Sequence, residues 1–229
     1  MENKLLLFIK DFNLTVGEQV LFKNFSLDVF AGEIIGFFAP TGSGKTSLFN
    51  HIAGTMLEST SAVCEPESAV GEPVETSISY VFQEPRLIPS LTVLKNVMLP
   101  LENKMKENDA KDLAIQWLEK LNMGHKINDF AKTLSGGEQQ RTAIARAFAY
   151  TCAVPELVEG VEGGVGGERL LLLDEPFASQ DEINTQNIMK LIKDRVREQQ
   201  CACLVISHDR QLLESLCSRI ITQKEFIVS

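Results

Sequence analysis

The chain lacks any hydrophobic run long enough to cross a membrane. Its 229 residues contain no uninterrupted apolar stretch of the roughly 18 or more residues that a transmembrane helix needs. The apolar run at residues 5–9 is too short for a secretory signal and is ended by Lys10 and Asp11. A role at a membrane would therefore require a second chain that spans the bilayer.

Basic charge and paired cysteines are also scarce. The 22 Lys and Arg residues are outnumbered by 31 Asp and Glu residues, which disfavours a general electrostatic grip on nucleic acid or anionic lipid. The five cysteines have neither CxxC spacing nor the density of a secreted disulfide scaffold, so we expect reduced thiols in the cytosol. Cys201 and Cys203 are separated by one residue in a strand-like run, where packing is a better interpretation than a metal site.

Strand and helix patterns alternate along the chain. Residues 5–38 predict short strands with turns at 17–18 and 31–32, and the last of these strands covers 34–38. Later strands are predicted at 78–82, 170–173 and 202–206, and helices at 47–53, 93–99, 110–121, from near 135 to 150, and 182–199. Residues 58–76 favour short strands and loops, and the Gly- and Glu-rich stretch 154–168 a mobile surface loop. The alternation indicates a mainly parallel sheet with helices on both faces.

A glycine-rich segment lies between the predicted strand at 34–38 and the predicted helix at 47–53. It nearly matches the phosphate-loop pattern G-x-x-x-x-G-K-[ST], with an alanine in place of the first glycine. The glycines let successive backbone N–H groups point at one anion, and the helix N-terminus adds positive partial charge. A Gly/Ser turn before a lysine is the alternative, but the flanking strand and helix favour a phosphate site. The predicted ATP-binding residues are Ala39, Pro40, Thr41, Gly42, Ser43, Gly44, Lys45 and Thr46.

Two of these side chains have predicted roles in chemistry. Lys45 would neutralise the β- and γ-phosphates, and the Thr46 hydroxyl would ligate Mg²⁺. An acidic partner is expected at the end of a neighbouring strand, and the apolar run 170–173 leads directly into Asp174 and Glu175. We expect Asp174 to hold Mg²⁺ and Glu175 to orient and deprotonate the attacking water. Together the two motifs predict an enzyme that binds ATP with Mg²⁺ and hydrolyses it.

The segment at 134–141, Leu-Ser-Gly-Gly-Glu-Gln-Gln-Arg, resembles the signature motif of ABC-type ATPases. Ser135, Gly136 and Gly137 would expose N–H groups at a helix start, although the phosphate loop already supplies an anion site. In the ABC family the signature of one subunit covers the γ-phosphate bound to the other subunit. The resemblance therefore implies a homodimer or pseudo-dimer with two composite sites. A capped helix start with a glycine turn is the competing interpretation.

Three further positions are similar to ABC motifs. Gln83 matches the Q-loop glutamine that senses Mg²⁺ and water, Asp181 the D-loop aspartate that contacts the partner subunit, and His208 the switch histidine that hydrogen-bonds the γ-phosphate. Each of these residue types, taken alone, is more often an ordinary surface or capping residue. The resemblance implies catalytic roles for Glu175, His208, Gln83 and Lys45, and metal contacts from Thr46, Gln83 and Asp174.

The resemblance covers essentially the whole chain and implies its architecture. The expected fold is α/β: a P-loop NTPase core with a mainly parallel sheet, an N-terminal antiparallel β-subdomain and an inserted α-helical subdomain. Residues 1–229 are then one ABC ATPase domain, with the core at 1–86 and 145–229 and the helical insert at about 87–144. The stretch 154–168 is expected to be a flexible loop.

The chain departs from the ABC pattern at four places. Ala39 adds a methyl group where the family usually has glycine, which would crowd the phosphate loop. Val16 stands where an aromatic residue usually stacks on adenine, so the base would be held by weaker apolar contact. Gln180 replaces the usual leucine of the D-loop, and the stretch 154–168 is longer than the usual link into the acidic strand. None of these departures removes a catalytic group.

A transporter subunit is the function that we expect. The chain shows one nucleotide unit without a long coiled-coil insertion, zinc–cysteine clusters or a basic arm. Residues 82–96 resemble the Q-loop region of bacterial importers for nitrate, sulfonate and taurine, where this surface receives a coupling helix from the membrane subunit. Leu87, Ile88 and Leu91 would line that groove or pack the core of the insert itself.

The resulting hypothesis is an ATP-hydrolysing subunit that powers transport through separate transmembrane permease subunits. The solute would be a small anion or sulfonate-like molecule, imported with the help of a separate solute-binding protein. The protein would lie on the cytoplasmic face of the cell membrane and have no nucleic-acid partner. The alternatives are an exporter ATPase, a soluble ABC ATPase acting on nucleic acid or the ribosome, and a nucleotide-binding regulator without turnover, which Ala39 and Val16 would favour.

Overall fold

The computed structural model describes residues 4–54, 77–153, 169–199 and 201–227. The strands within these ranges are β1 (Leu5–Val16), β2 (Gln19–Phe30), β3 (Ile34–Phe38), β4 (Ser77–Val81), β5 (Arg169–Asp174), β6 (Ala202–Ile206) and β7 (Arg219–Thr222). The α-helices are α1 (Lys45–Ile52), α2 (Val93–Met98), α3 (Glu107–Lys120), α4 (Gly136–Ala153), α5 (Glu182–Gln199) and α6 (Arg210–Leu216). The predicted loops at 58–76 and 154–168 lie outside the described residues.

The strands form two sheets. Five strands make a parallel sheet in the order β4-β5-β6-β3-β7, whereas β1 and β2 pair with each other in an antiparallel sheet. This arrangement confirms the predicted fold class. The two N-terminal strands, at 12 residues each, are longer than the short strands expected there. The structure also contains α6 and β7, which were not predicted from the sequence.

The parallel sheet is buried on both faces. Successive residues of β5 face opposite sides, so Leu170 and Leu172 join one apolar cluster while Leu171 and Leu173 join another. The first cluster includes β1, β2 and α1, and the second includes helices α2 to α6. This two-sided burial explains why the run is entirely apolar.

The helical region between β4 and β5 is fixed by a buried asparagine. The Asn96 side chain accepts a hydrogen bond from the Ile88 backbone N–H at 2.7 Å and donates to the carbonyls of Ile88 and Thr92 at 3.1 and 3.0 Å. The loop before α2 is thereby attached to that helix. Because α4 runs from Gly136 to Ala153, the predicted boundary between insert and core, at 144, falls inside one helix. The division at that residue stays a prediction.

The described cysteines are free thiols, and two of them are in the core. Cys201 and Cys203 are buried in the same apolar cluster, as the packing interpretation requires. Burial raises the pKa of the Cys203 thiol well above its usual value, which favours the unreactive protonated form. Cys64 lies outside the described residues. None of the helices that the structure describes is long and apolar enough to span a bilayer.

Candidate functional site

Four loops meet at the carboxyl edge of the parallel sheet. In this sheet β5 lies between β4 and β6, and β6 lies between β5 and β3. Parallel strands end at a common edge, so the segments that follow them are neighbours. They carry the phosphate loop after β3, Gln83 after β4, Glu175 after β5 and His208 after β6.

The phosphate loop depends on two glycines with left-handed backbone. Gly42 has φ 81° and Gly44 has φ 93°, values that residues with a Cβ rarely adopt. A Cβ at Gly44 would also lie 2.9 Å from the Phe22 ring, so the close approach of β2 requires glycine there. Gly44 is the N-cap of α1, and the first N–H groups of that helix have no intrahelical acceptor. These amides and the helix N-terminus provide donors for an anion.

The ammonium group of Lys45 lies over the loop. The side chain is only 6% exposed, and Nζ donates to the carbonyl oxygens of Ala39 and Pro40 at 2.6 and 2.9 Å. Burial lowers the pKa of Lys45, and the nearby carboxyl groups of Glu175 and Asp174 oppose that shift. The loop therefore holds a buried ammonium group that can bind phosphate oxygens.

Ala39 is accommodated in the core. The residue is 3% exposed and belongs to the apolar cluster that contains Phe37 and Phe49. Its φ is not among the positive values of the chain, so the backbone here does not demand glycine. The backbone conformation at this residue therefore accepts alanine, and the effect of its methyl on the phosphate loop stays a prediction.

A direct hydrogen bond joins the phosphate loop to the acidic end of β5. The Thr46 hydroxyl donates to Asp174 Oδ2 at 2.7 Å, although the two residues are 128 positions apart. Asp174 is 1% exposed, and burial raises its pKa while the bond from Thr46 opposes the shift.

These two oxygen donors fit Mg²⁺ bound to a nucleotide. A hydroxyl and a carboxylate are ligands that Mg²⁺ accepts when phosphate and water oxygens complete the shell. Across the described residues no group of three or more His, Cys, Asp or Glu side chains could hold a metal without such help. Thr46 and Asp174 therefore suit a metal that arrives with ATP, rather than a permanent all-protein metal site.

Glu175 is held in an unusual backbone conformation beside His208. Its φ is 50°, and its backbone N–H donates to the Ile206 carbonyl at 3.1 Å. The carboxylate Oε1 lies 3.4 Å from His208 Nε2, yet this buried oxygen accepts no hydrogen bond from a described residue. Burial first, and repulsion by Asp174 second, raise the pKa of Glu175 to about 7. A carboxylate of that pKa is suited to accept a proton from water near neutral pH.

Three other predicted site residues make no hydrogen bond or ion pair with this acidic pair in the described part of the chain. Gln83 is exposed after the end of β4, and its side chain makes no hydrogen bond with the described residues. Val16 ends β1 and is 57% exposed. Asp181 caps α5 by accepting hydrogen bonds from the Asn184 backbone N–H at 2.7 Å and side-chain amide at 3.0 Å. The roles predicted for these residues stay predictions.

The signature segment forms a capped helix start. Both the backbone N–H and the hydroxyl of Ser135 donate to Glu138 Oε2, at 2.8 and 3.0 Å, and the hydroxyl accepts from the Glu138 backbone N–H at 3.4 Å. The bond from the Ser135 backbone is the main reason that the pKa of Glu138 is lowered. The spacing S-x-x-E indicates this capping box, and the capped helix start that the sequence offers as the competing interpretation is present. Within the described ranges no hydrogen bond joins Ser135, Gly136 or Gly137 to the phosphate loop.

Comparison with known families agrees with this geometry. The family model described as ABC transporter matches residues 22–154, more than half of the chain. The chain belongs to the ABC transporter family. This cassette is 37% identical over 206 residues to the aliphatic sulfonates import ATP-binding protein SsuB 1 of Pseudomonas syringae pv. tomato. That match covers 90% of the cassette and 65% of the relative, so the cassette spans a little less than two thirds of the relative's length.

A second relative belongs to a different transport system. The lipoprotein-releasing system ATP-binding protein LolD 2 of Caulobacter vibrioides is 31% identical to the cassette over 219 residues, with 91% of the cassette and 88% of that protein covered. The ABC family prediction and its sulfonate-importer likeness are thus confirmed, while the relatives differ in what they transport.

Solved structures show the same architecture. A bacterial ABC transporter cassette solved as a dimer superposes with a TM-score of 0.75 at 28% identity, over 97% of this chain and 96% of that one. A second, an ATP-binding cassette in a post-hydrolysis state bound to ADP and Pi, gives a TM-score of 0.74 at 27% identity with the same coverage. The cassette has the fold of an ABC ATPase.

Proposed function

We propose that this cassette is the ATP-binding and ATP-hydrolysing subunit of a membrane transporter. The observation that carries the proposal is the 2.7 Å hydrogen bond between Thr46 and Asp174, with Glu175 next in sequence. It brings a phosphate loop, an Mg²⁺-compatible oxygen pair and a base of pKa about 7 to one edge of the sheet. No other described part of the chain combines these groups.

The residues divide the chemistry of phosphoryl transfer among them. The glycine-loop amides and Lys45 bind the β- and γ-phosphates, and Thr46, Asp174 and Gln83 would hold the metal. Mg²⁺ supplies charge neutralisation at the phosphate oxygens. Glu175 takes the proton of the attacking water, and His208 hydrogen-bonds the γ-phosphate. Val16 offers adenine an apolar contact without aromatic stacking.

The complete site requires two copies of the cassette. Ser135, Gly136 and Gly137 make no hydrogen bond to the phosphate loop within the described chain, and the related bacterial cassette was solved as a dimer. Both facts support sites composed of one copy's phosphate loop and the other's signature, with Asp181 at the contact. Two copies close around two ATP and reopen after hydrolysis.

Transport requires membrane partners. Ile88 is 39% exposed and Phe130 48% exposed beside the loop that precedes α2, whereas Leu87 packs against the core. The exposed pair supports a docking surface for a permease subunit, and the cassette would then lie on the cytoplasmic face of the membrane. The SsuB relative imports aliphatic sulfonates, which supports a sulfonate-like or small anionic solute delivered by a solute-binding protein.

Export is a second candidate for the direction of transport. The LolD relative, named for lipoprotein release, matches 88% of its own length, a larger share than the sulfonate importer does. Co-purification of the cassette with its membrane subunit, followed by identification of that subunit, distinguishes the two. Recovery of RNA or ribosomes in place of a membrane protein would instead favour a soluble ABC ATPase.

The Glu175→Gln variant tests the ATPase assignment. It keeps the shape of the side chain but cannot take a proton, so we expect ATP binding to persist while steady-state hydrolysis nearly disappears. Glu119→Gln, an exposed change on α3, is the matched control and should hydrolyse ATP like the wild type. ATP hydrolysis at the wild-type rate by Glu175→Gln would show that Glu175 is not the general base.

A further inference from the structure

The side chain of Gln180 lies between the turn before α5 and α4, which begins in the signature segment and is called here the signature helix. Its Oε1 accepts a hydrogen bond from Arg141 Nη1 at 2.7 Å, and its Nε2 donates to the Gly137 carbonyl at 3.0 Å. Nε2 also approaches the Ala178 carbonyl at 3.3 Å. One amide therefore bonds to the first two turns of α4, through its donor to Gly137 and through its acceptor to Arg141.

The two segments are also packed together tightly. A Cβ on Gly137 would lie 2.5 Å from the Ser179 carbonyl oxygen, so only glycine permits this approach. Ser179 has φ 59°, a left-handed value that turns the chain there. On the neighbouring turn of α4, Gln140 Nε2 donates to the Glu175 carbonyl at 3.5 Å. The start of α4 and residues 175–181 therefore form one packed unit.

An apolar side chain at position 180 cannot replace the hydrogen bonds of Gln180. A leucine fills similar space, but it would leave Arg141 Nη1 and the Gly137 carbonyl without this partner. The Arg141 Nε is already buried without a hydrogen bond among described residues, so the guanidinium depends on its remaining contacts. Loss of a partner for a charged donor costs more than loss of a neutral one.

We propose that Gln180 is a positioning residue that locks the signature helix to the turn carrying Glu175 and Asp181. The inference rests on the proposed function, in which Ser135 and Asp181 both act on a second copy. With Gln180 in place, the two partner-facing segments move as one body. When the signature segment of one copy closes on the ATP bound to its partner, the same movement positions the backbone of Glu175 in that copy.

Hydrogen exchange of the ATP-free protein tests the lock without relying on activity. In Gln180→Leu we expect backbone amides in the first turns of α4 and at 178–181 to exchange about tenfold faster than in the wild type. Gln116→Leu, an exposed change on α3, should leave these amides unchanged. Wild-type exchange in Gln180→Leu would overturn the proposal, even if the wild-type protein hydrolyses ATP normally.

Kinetics separate positioning from nucleotide binding. We expect Gln180→Leu to lower kcat about tenfold and to leave KM for ATP within about twofold. Gln180→Glu keeps the acceptor for Arg141 but loses the donor to Gly137, so its kcat should be intermediate. Arg141→Met should also lower kcat, and adding it to Gln180→Leu should cost little more, because both remove the same bond. Additive losses, or a change in KM alone, would contradict the lock.

Loss of the ATPase function and loss of the Gln180 contacts give different experimental results. A wild-type protein without ATPase activity would refute the function, and the exchange experiment would still decide whether Gln180 holds the two segments. Thermal melts of both Gln180 variants, required to match the wild type within a few degrees, exclude global unfolding as the cause of a lower kcat.

Discussion

At the scale of single residues, two adjacent acids at the end of β5 have different surroundings. Asp174 accepts a hydrogen bond from Thr46, whereas the buried Oε1 of Glu175 accepts none from the described chain. Burial raises the pKa of both acids, but the hydrogen bond from Thr46 opposes the shift at Asp174, whereas repulsion by Asp174 adds to it at Glu175 and raises that pKa to about 7. Such a difference separates a metal-holding carboxylate from a proton-accepting one.

The pH dependence of turnover should report on Glu175. Its pKa is raised to about 7, and only the deprotonated form can accept a proton from water. We therefore expect kcat/KM for ATP, which reports the pKa values of the nucleotide-free enzyme, to fall as pH falls through about 7 and to level off above it. Steady-state ATPase rates between pH 5.5 and 8.5 measure this limb. If the residual rate of Glu175→Gln fell over the same pH range, another group would be responsible for the pH dependence.

Gly44 should tolerate no side chain. Its φ of 93° strains any residue with a Cβ, and that atom would lie 2.9 Å from Phe22. We expect Gly44→Ala to abolish ATP binding and to lower the free energy of unfolding by about 2 to 4 kcal/mol. Nucleotide titration and urea denaturation measure the two effects.

A second glycine separates backbone strain from the clash. Gly54 has φ 66°, and a Cβ there would meet no atom of the described residues within 4 Å. Gly54→Ala should therefore cost only about 1 kcal/mol and leave ATP binding intact. Equal losses in the two variants would show that strain alone, and not the approach of β2, makes Gly44 necessary.

At the scale of elements, helices α4 and α5 are joined through a buried arginine. Arg195 is 4% exposed, and its Nε and Nη2 donate to the Thr151 hydroxyl at 3.1 and 2.7 Å. Its Nη2 also approaches the Phe148 carbonyl at 3.5 Å. The contact connects the end of the signature helix to the helix that follows Asp181.

Removal of the Thr151 hydroxyl should destabilise the protein markedly. Thr151→Val keeps the volume but takes the main acceptor from a buried cation, so we expect a loss of about 2 to 3 kcal/mol in the free energy of unfolding. Thr142→Val is the matched control, because among the described residues that buried hydroxyl bonds only to the Glu138 carbonyl, so its loss should cost about 1 kcal/mol. Urea denaturation of both variants measures the difference, and equal losses would contradict a special role for Arg195.

Some helices and strands could be predicted from the sequence more accurately than others. Apolar runs and helical spacing located β3, β5, β6 and α5 to within a residue or two. By contrast, β7 has four residues with only one of them buried, so its pattern is too short to see, and it is a strand because it pairs with β3. The seven residues of α6 did carry a signal, since Asp209 caps the helix by accepting from the Leu212 N–H at 3.0 Å.

At the scale of the whole molecule, motifs far apart in sequence predicted a site that the topology assembles. Thr46 and Asp174 meet because β3 and β5 are both neighbours of β6 in a parallel sheet. The contacts of Gln180 could not be predicted, since they depend on which turn packs over α4. Positions such as Val16 and Asp181 have predicted partners on a nucleotide or a second chain, and neither is part of this fold.

Pairing of the cassette should require ATP. In the Glu175→Gln background, where bound ATP persists, we expect a monomer without nucleotide and a dimer with ATP and Mg²⁺. Analytical sedimentation at several protein concentrations distinguishes the two. A monomer that is indifferent to ATP would count against composite sites.

Mixing two inactive variants tests the composite site most directly. Lys45→Ala disables a phosphate loop, and Ser135→Arg blocks a signature, so each protein alone should show almost no ATPase activity. A mixed dimer would contain one intact site, formed by the phosphate loop of the Ser135→Arg copy and the signature of the Lys45→Ala copy. An equal mixture is therefore predicted to recover about a quarter of the wild-type rate, because about half of the dimers are mixed and each has one working site of two. A mixture as inactive as its components would contradict the account.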